Sequence, residues 1–210
     1  MIPEAALTSF VAALFSMMNP IGNTGVVATM TASRPAGQAT RIAWTCAGAV
    51  AITLLIVVWS GSLLLEFFGI TVDSFRAAGG IIVLLIGLQM LFNKSGHTSS
   101  PSEEEDAESR PSIAVVPLAI PIVAGPGTMT AVLLAAQQHP SALSRVEISF
   151  VVVVLAALCG LLFSFATPIA KRLGESGMGV VTRVMGMILA AIAMGMLAEG
   201  LKGLLPGLAG

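Results

Sequence analysis

The residues of this chain best suited to bind a solute lie in two helix-breaking segments, residues 19–23 and 121–127. The first segment carries two asparagines, Asn19 and Asn23, whose amides donate and accept hydrogen bonds without adding a net charge. Proline removes a backbone donor and glycine tolerates bends, so each segment should interrupt a helix. A helix that resumes after a break starts with unpaired backbone amides, which attract a carboxylate. This pattern predicts a polar site for a small zwitterion.

The second segment adds irregular backbone but no charged side chain. The helix after the first segment should begin near Thr24 and the helix after the second near Thr128, which is well placed as an N-cap. Because neither segment contains Asp, Glu, Lys or Arg, the site should suit a neutral solute better than a multiply charged one. The alternative is that the asparagines only cap the broken helix ends. The candidate substrate-binding residues are Asn19, Pro20, Gly22, Asn23, Thr24, Gly125, Pro126, Gly127 and Thr128.

The composition indicates an integral membrane protein. Hydrophobic residues make up 56% of the chain and charged residues 10%, whereas a soluble domain carries about 25% charged residues. The formal net charge of −1 and the lack of a basic patch do not point to nucleic acid. The first residues, Met1-Ile2-Pro3-Glu4, include no base, so the first apolar segment should remain as a membrane span rather than be removed as a signal.

Apolar stretches define six expected membrane spans. A helix needs roughly 20 apolar residues to cross the hydrocarbon core, and residues 43–65 and 148–170 are uncharged runs of that kind. The first and fourth spans contain the helix-breaking segments, and broken backbone is tolerated in a membrane only where it faces protein or a polar cavity. The expected spans are about 5–31, 42–66, 75–93, 112–138, 146–170 and 181–201. The predicted fold is all-α: a polytopic membrane protein with broken helices 1 and 4.

A polar, acidic segment divides the chain into two halves of similar layout. It covers about residues 95–111, between repeat 1 at about 1–94 and repeat 2 at about 112–210, within a single transmembrane domain over 1–210. Its hydrophilic composition predicts a solvated linker, with a regulatory or partner-binding role as the alternative.

Three residues recur at nearly the same spacing in the two halves. They are Pro20 with Pro126 at a shift of 106 residues, and Arg76 with Arg183 and Gly79 with Gly186 at a shift of 107. Each half has three spans, so consecutive halves must enter the membrane in opposite directions. The layout predicts two inverted three-helix repeats, as in many secondary transporters.

Basic residues are unevenly distributed between the two sides of a six-span arrangement. One side holds Arg34, Arg41, Lys94, Arg110, Lys171, Arg172 and Arg183, and the other holds Arg76, Arg145 and Lys202. The more basic side should be cytoplasmic. We therefore expect a multi-pass protein of the inner or plasma membrane, with both termini outside and the 95–111 loop in the cytoplasm.

Four ionisable residues near span ends are candidates for coupling or gating: Glu199, Arg76, Arg183 and Asp73. Asp73 and Arg76 are three residues apart and could pair on one helical face. The alternative for all four is a solvated or snorkelling position at a span end. His139 falls in a polar connection, and the two cysteines lie in apolar runs, so we expect no metal site and no cofactor.

Residues 18–23 and 117–127 closely resemble the two signatures of the MarC family, and the length, the six spans and the polar central loop match it as well. The family is also known as the SnatA-like six-span neutral amino acid transporter family and is placed near the LysE-type exporters. The resemblance implies transport of small neutral amino acids such as glycine and alanine at the two broken helices. The residues that match its motifs are Asn19, Pro20, Gly22, Asn23, Gly125, Pro126, Gly127 and Thr128.

The leading hypothesis is therefore a secondary carrier that works by alternating access around a midplane site, with proton or sodium as a coupling ion. A second hypothesis is a non-transporting membrane protein that modulates partners through its acidic loop. An intramembrane enzyme is disfavoured, because no histidine lies in an expected span and no nucleophile–base pair is apparent. The sequence leaves the substrate, the direction of transport and the oligomeric state open.

Overall fold

The computed structural model describes residues 2–32, 34–92, 113–205 and 207. The linker at 95–111 lies outside these residues, so the division into two repeats and a linker stays a prediction. The helices of the described ranges are α1 Glu4–Met18, α2 Asn23–Met30, α3 Ala36–Phe68, α4 Val72–Phe92, α5 Ala114–Val123, α6 Pro126–Gln138, α7 Ala142–Ser164 and α8 Ala166–Leu204.

The described helices are long and apolar enough to cross a membrane. Five stretches meet this condition by themselves: Glu4–Met30, Gly37–Phe68, Val72–Phe92, Ala142–Ser164 and Ala166–Leu204. A sixth arises if α5 and α6, which meet at an angle of 63°, form one bent span. The chain is therefore an all-helical, multi-pass membrane protein in the part that the structure describes.

The boundary between α7 and α8 differs from the expected span at 146–170. α7 ends at Ser164, and residues 166–170 belong to α8. Phe165 leaves the helical conformation, with φ −105° and ψ 16°. Pro168 then lies in the first turn of α8, where its missing N–H costs no helical hydrogen bond. Uncharged composition alone could not locate this break.

α8 is also longer than the span expected at 181–201. Gly174 interrupts it with φ 63° and ψ 179°, so that residues 166–173 and 175–204 form two helical pieces. A side chain is strongly disfavoured in this conformation, which explains why glycine stands at the turn. The short first piece carries Lys171 and Arg172, which are both exposed.

The helices associate mainly as two pairs, α4 with α8 and α3 with α7. The α3–α7 pair carries the larger apolar core, which includes Val50, Leu54, Ile148 and Val152 at 0% exposure. Cys46 and Cys159 lie in this core as buried free thiols. α2 packs against α8, and α6 packs against both α4 and α3, so each of these short helices contacts the α4–α8 pair.

Glycines bring α4 and α8 into backbone contact. A Cβ added to Gly80 would lie 2.9 Å from the backbone nitrogen of Leu197, and one added to Gly200 would lie 2.7 Å from that of Ala77. In a bilayer, apolar side chains are already surrounded by apolar lipid tails, so the hydrophobic effect does not drive helices together. Helix association therefore depends on close van der Waals packing of this kind. The glycines therefore make α4–α8 a tightly joined unit.

Gly87→Ala should destabilise this unit. The new Cβ would lie 2.9 Å from both the nitrogen of Ala190 and the carbonyl oxygen of Gly186, and helical backbone cannot move aside as a flexible side chain can. Overpacking of this kind costs about 1–3 kcal/mol. Thermal unfolding in detergent should show a lower Tm. Gly195→Ala is the matched control, since a Cβ at this α8 position meets no atom within 4 Å. Equal melting of the two variants would contradict close packing at Gly87.

Candidate functional site

The first helix break is built around Asn19. α1 ends at Met18, and Asn19 adopts the left-handed conformation with φ 45° and ψ 52°. Asparagine is one of the few residues with a side chain that visits this region readily. The Asn19 side-chain oxygen accepts a hydrogen bond from the Gly22 N–H at 3.3 Å, which holds the turn in place.

The other polar side chains of this break pair with backbone carbonyls. Asn23 donates through Nδ2 to the carbonyl oxygen of Met18 at 3.0 Å. Thr24 donates through Oγ1 to the carbonyl oxygen of Ile21 at 2.6 Å. The Met18 carbonyl lies at the end of α1, where helical partners are missing, while the Ile21 carbonyl also accepts from the Thr24 N–H at 3.2 Å. Capping by Asn19 and Asn23, the alternative expected from the sequence, is therefore present in the structure.

The second break lies between α5 and α6. α5 has wide turns, with the N–H of Ala124 bonded to the carbonyl oxygen of Ala119 at 2.8 Å, and non-helical dihedral angles at Val116 and Ile120. α6 then begins at Pro126, with Gly125 at the N-cap position in an extended conformation. Since glycine has no side chain, nothing at the N-cap pairs with the first amides of α6.

Thr128 does not act as the N-cap of α6, so that prediction is wrong. Proline prefers the first helical position, and Pro126 therefore starts the helix two residues before Thr128. The Thr128 hydroxyl instead donates to the carbonyl oxygen of Val123 at 2.9 Å, across the break. The Thr130 hydroxyl likewise donates to the carbonyl oxygen of Pro126 at 2.8 Å.

α4 is the element that both breaks approach. Gly127, in the first turn of α6, lies so close to Val83 that a Cβ there would overlap it. The Nδ2 atom of Asn19 lies 3.9 Å from the sulfur of Met90. Val83 and Met90 are seven residues apart on α4, which corresponds to about 10 Å along the helix axis. The structure thus brings the two break segments to one side of α4, a short distance apart.

The amide of Asn19 stands out among the polar groups of the site. Asn19 is 6% exposed, and among the described residues its Nδ2 pairs only with the Met90 thioether. A thioether is a weak acceptor, and an incompletely paired buried polar group is costly. The hydroxyls of Thr24 and Thr128 are buried too, but each already has a carbonyl partner. Asn19 is therefore a buried amide whose Nδ2 donor has only a weak acceptor among the described residues.

The candidate coupling residues form one cluster and one separate site. Arg76 on α4 pairs with Glu199 on α8 at 3.2 Å and with Asp73 at 3.9 Å, which confirms the expected Asp73–Arg76 pair. The Arg76 side chain is 14% exposed and that of Glu199 is 69% exposed. Arg183 is exposed on α8 near Gly186, which packs against the opposite end of α4. It does not join the cluster.

A cleft of about 340 Å³ lies between α1, α6 and α8. Its lining residues are Ile2, Ala6, Ser9, Phe10, Ala13, Met17, Ala131, Leu134, Ala135, Gln138, His139, Ile192 and Met196. At its rim, the Ile2 N–H donates to Glu147 of α7 at 2.8 Å. No predicted site residue lines the cleft. Sequence reasoning missed it because its residues are mostly apolar and carry no motif; only the position of Met17 beside the first break hinted at it.

The sequence profile of one family of membrane proteins matches nearly the whole chain. Residues 5–205 match the sequence profile of the MarC family integral membrane protein. The chain belongs to the MarC family. The resemblance drawn from residues 18–23 and 117–127 is therefore confirmed, and the MarC match covers every helix described above except the first residue of α1.

MarC relatives occur in bacteria and archaea. The UPF0056 membrane protein YhcE of Escherichia coli (strain K12) is 37% identical over 201 residues, which cover 95% of this chain and 93% of the relative. YvbG of Bacillus subtilis (strain 168) is 35% identical over 195 residues, 92% of both chains. A UPF0056 membrane protein of Pyrococcus horikoshii is 35% identical over 191 residues, 90% of this chain and 91% of the relative. No solved structure gives a significant match.

Two substitutions at Asn19 should separate its backbone role from its side-chain role. Asn19→Ala removes the bond to Gly22 and forces a Cβ-bearing residue without a polar group into the left-handed conformation, which costs roughly 1–2 kcal/mol. Asn19→Gly loses the same side chain but accepts this conformation without strain. Thermal unfolding in detergent should therefore rank the wild type above Asn19→Gly and Asn19→Gly above Asn19→Ala. If the alanine variant were the more stable of the two, the left-handed turn would not be a constraint.

Proposed function

We propose that this protein is a secondary carrier of small neutral amino acids, similar in size to glycine or alanine, with its binding site at the two helix breaks. The observation that carries the proposal is the buried Asn19 amide, whose Nδ2 has only a weak thioether partner. A buried donor of this kind is well suited to bind an acceptor group of a solute.

The start of α6 supplies a second half of the proposed site. Its first amides, at Gly127 and Thr128, follow a proline and a side-chain-free N-cap. Backbone amides at a helix N-terminus, together with the helix dipole, favour a carboxylate. Neither break contains a charged side chain. This combination supports a solute that carries its own balanced charges, such as a neutral amino acid, over one with an excess charge.

Contacts between the helices support the proposed inverted repeat. Gly186 on α8 approaches Gly87 and Met90 of α4, while Gly80 on α4 approaches Ala193 and Leu197 of α8. Adding 107 to the residue numbers on α4 and subtracting 107 from those on α8 converts the first set of contacts into the second to within one residue. α2 on α8 and α6 on α4 are likewise equivalent under exchange of the halves. On this basis the protein has six spans, with the first and fourth broken.

In the proposed transport cycle, the halves rock against each other around the breaks. The Arg76–Glu199 pair joins α4 of one half to α8 of the other. Because Glu199 is largely exposed, solvent screens the pair, and such pairs contribute only about 0–1 kcal/mol. An interaction of this size can close one side of a carrier and still open in each cycle. Arg183, toward the other end of the α4–α8 pair, is its proposed counterpart, and a proton or sodium ion is the proposed driving ion.

Cysteine labelling in intact cells tests the proposed orientation, in which the more basic side faces the cytoplasm of the inner or plasma membrane. Ala142→Cys, at the exposed start of α7, should react with a membrane-impermeant thiol reagent added outside. Glu175→Cys, exposed after the break in α8, should react only after the membrane is permeabilised. The native cysteines are buried, so the wild type should give little background. The reverse labelling pattern would invert the orientation.

Transport by purified protein in proteoliposomes tests the function itself. The wild type should take up labelled alanine or glycine, and Asn19→Gly should reduce the flux at least about tenfold, the effect expected when about 1.4 kcal/mol of substrate interaction is lost. Glycine keeps the left-handed turn, so this loss would report on the side chain rather than on the backbone.

Gln38→Ala is the matched control, because it removes an exposed amide at the start of α3, far from the breaks in sequence. Its flux should equal that of the wild type. Lack of flux with any neutral amino acid, in protein shown to be folded, would refute the carrier. Flux that survives Asn19→Gly unchanged would move the site away from this break. Repeating the assay with and without proton or sodium gradients identifies the coupling ion.

A further inference from the structure

The cleft between α1, α6 and α8, here called the outer cleft, runs along one face of α1. Its end at the start of α1 and the end of α6, where Ile2, Gln138 and His139 line it, is here called its mouth. Met17 lines the cleft one residue before α1 ends. From Ile2 to Met17 the lining follows α1 for about 20 Å. The lining therefore reaches to within two residues of Asn19 and the first break.

A small apolar cluster, here called the methionine plug, lies at the Met17 end of the outer cleft. Its buried members are Met17, Val83, Leu189 and Ala193, and Leu84, Met90, Ala131, Ile192 and Met196 pack against them. Four of these residues also line the cleft: Met17, Ala131, Ile192 and Met196. These four residues thus belong both to the lining of the cleft and to the plug.

Two other residues of the methionine plug contact the two helix breaks. Val83 contacts Gly127 at the start of α6, and the sulfur of Met90 faces the Nδ2 atom of Asn19. The plug therefore shares residues with the outer cleft and contacts both breaks. The side chains that separate the cleft from Asn19 are apolar, and methionine side chains are flexible enough to move between arrangements.

We infer that the outer cleft is the access route by which a small neutral amino acid reaches the helix breaks, and that the methionine plug is the gate that closes this route in the state described. The inference rests on the proposed function and adds its path. Under the proposed orientation the mouth faces outside, because α1 begins and α6 ends there. A hydrophobic constriction blocks polar solutes by excluding water, and opens when its side chains part.

The rate at which introduced cysteines react with a thiol reagent added outside the cell tests the route without any transport measurement. The reporters are Ala13→Cys, in the wall of the cleft, and Thr128→Cys, behind the plug and 2% exposed in the wild type. A cationic, membrane-impermeant methanethiosulfonate should modify Ala13→Cys readily and Thr128→Cys at least about tenfold more slowly. Adding Met17→Ala to Thr128→Cys should raise its rate at least about tenfold.

Met196→Ala gives a second way to open the plug, because Met196 is only partly buried and its loss should perturb folding less. Met194→Ala is the matched control: it removes the same side chain from the same helix, but Met194 is 52% exposed and outside the plug. This control should leave the Thr128→Cys rate unchanged.

Two results would overturn the inference. An unreactive Ala13→Cys, in cells where Ala142→Cys reacts, would show that the cleft is closed to water; reaction with a lipid-soluble maleimide alone would show that a lipid chain occupies it. A Thr128→Cys rate that neither methionine substitution changes would show that the plug is not the barrier. Normal labelling without flux would instead refute the carrier and leave the route intact.

Discussion

The structure depends on one constraint: backbone polar groups freed inside hydrocarbon must find partners within the protein. Both breaks free such groups, and short polar side chains pair with some of them. Asn23 bonds the Met18 carbonyl at the first break, and Thr128 bonds the Val123 carbonyl at the second. These polar residues thus help to make broken helices possible in this fold. Asn19 differs, since its buried amide has only a thioether as the partner of its Nδ2 atom among the described residues.

The α4–α8 pair provides the frame on which the breaks rest. Glycine contacts hold these helices backbone to backbone, while α6 packs on α4 and α2 packs on α8. Each half-helix therefore lies against one of two tightly joined helices. Surfaces made of small residues have few side chains that interlock, so the packing that positions the breaks is also compatible with sliding of α4 against α8.

Much of the fold could be predicted from local chemistry. Proline, glycine and asparagine mark the interruptions between α1 and α2 and between α5 and α6, because these residues act on the backbone directly. The end of α7 could not be predicted from an uncharged run that continues into α8, and the role of Thr128 was missed because Pro126 sets the helix start. The outer cleft was missed for a different reason: Phe10 or Ile192 in a cleft has the same apolar character as a residue facing lipid.

The left-handed turn at Asn19 limits how this site can change. Few residues occupy that conformation readily: glycine, asparagine and aspartate. Glycine has no side-chain donor, and aspartate would bury a negative charge at this 6% exposed position. Only the amide combines the backbone geometry with a neutral donor. Change around the first break should therefore occur in the surrounding apolar walls, where side chains can change without unfolding a helix junction.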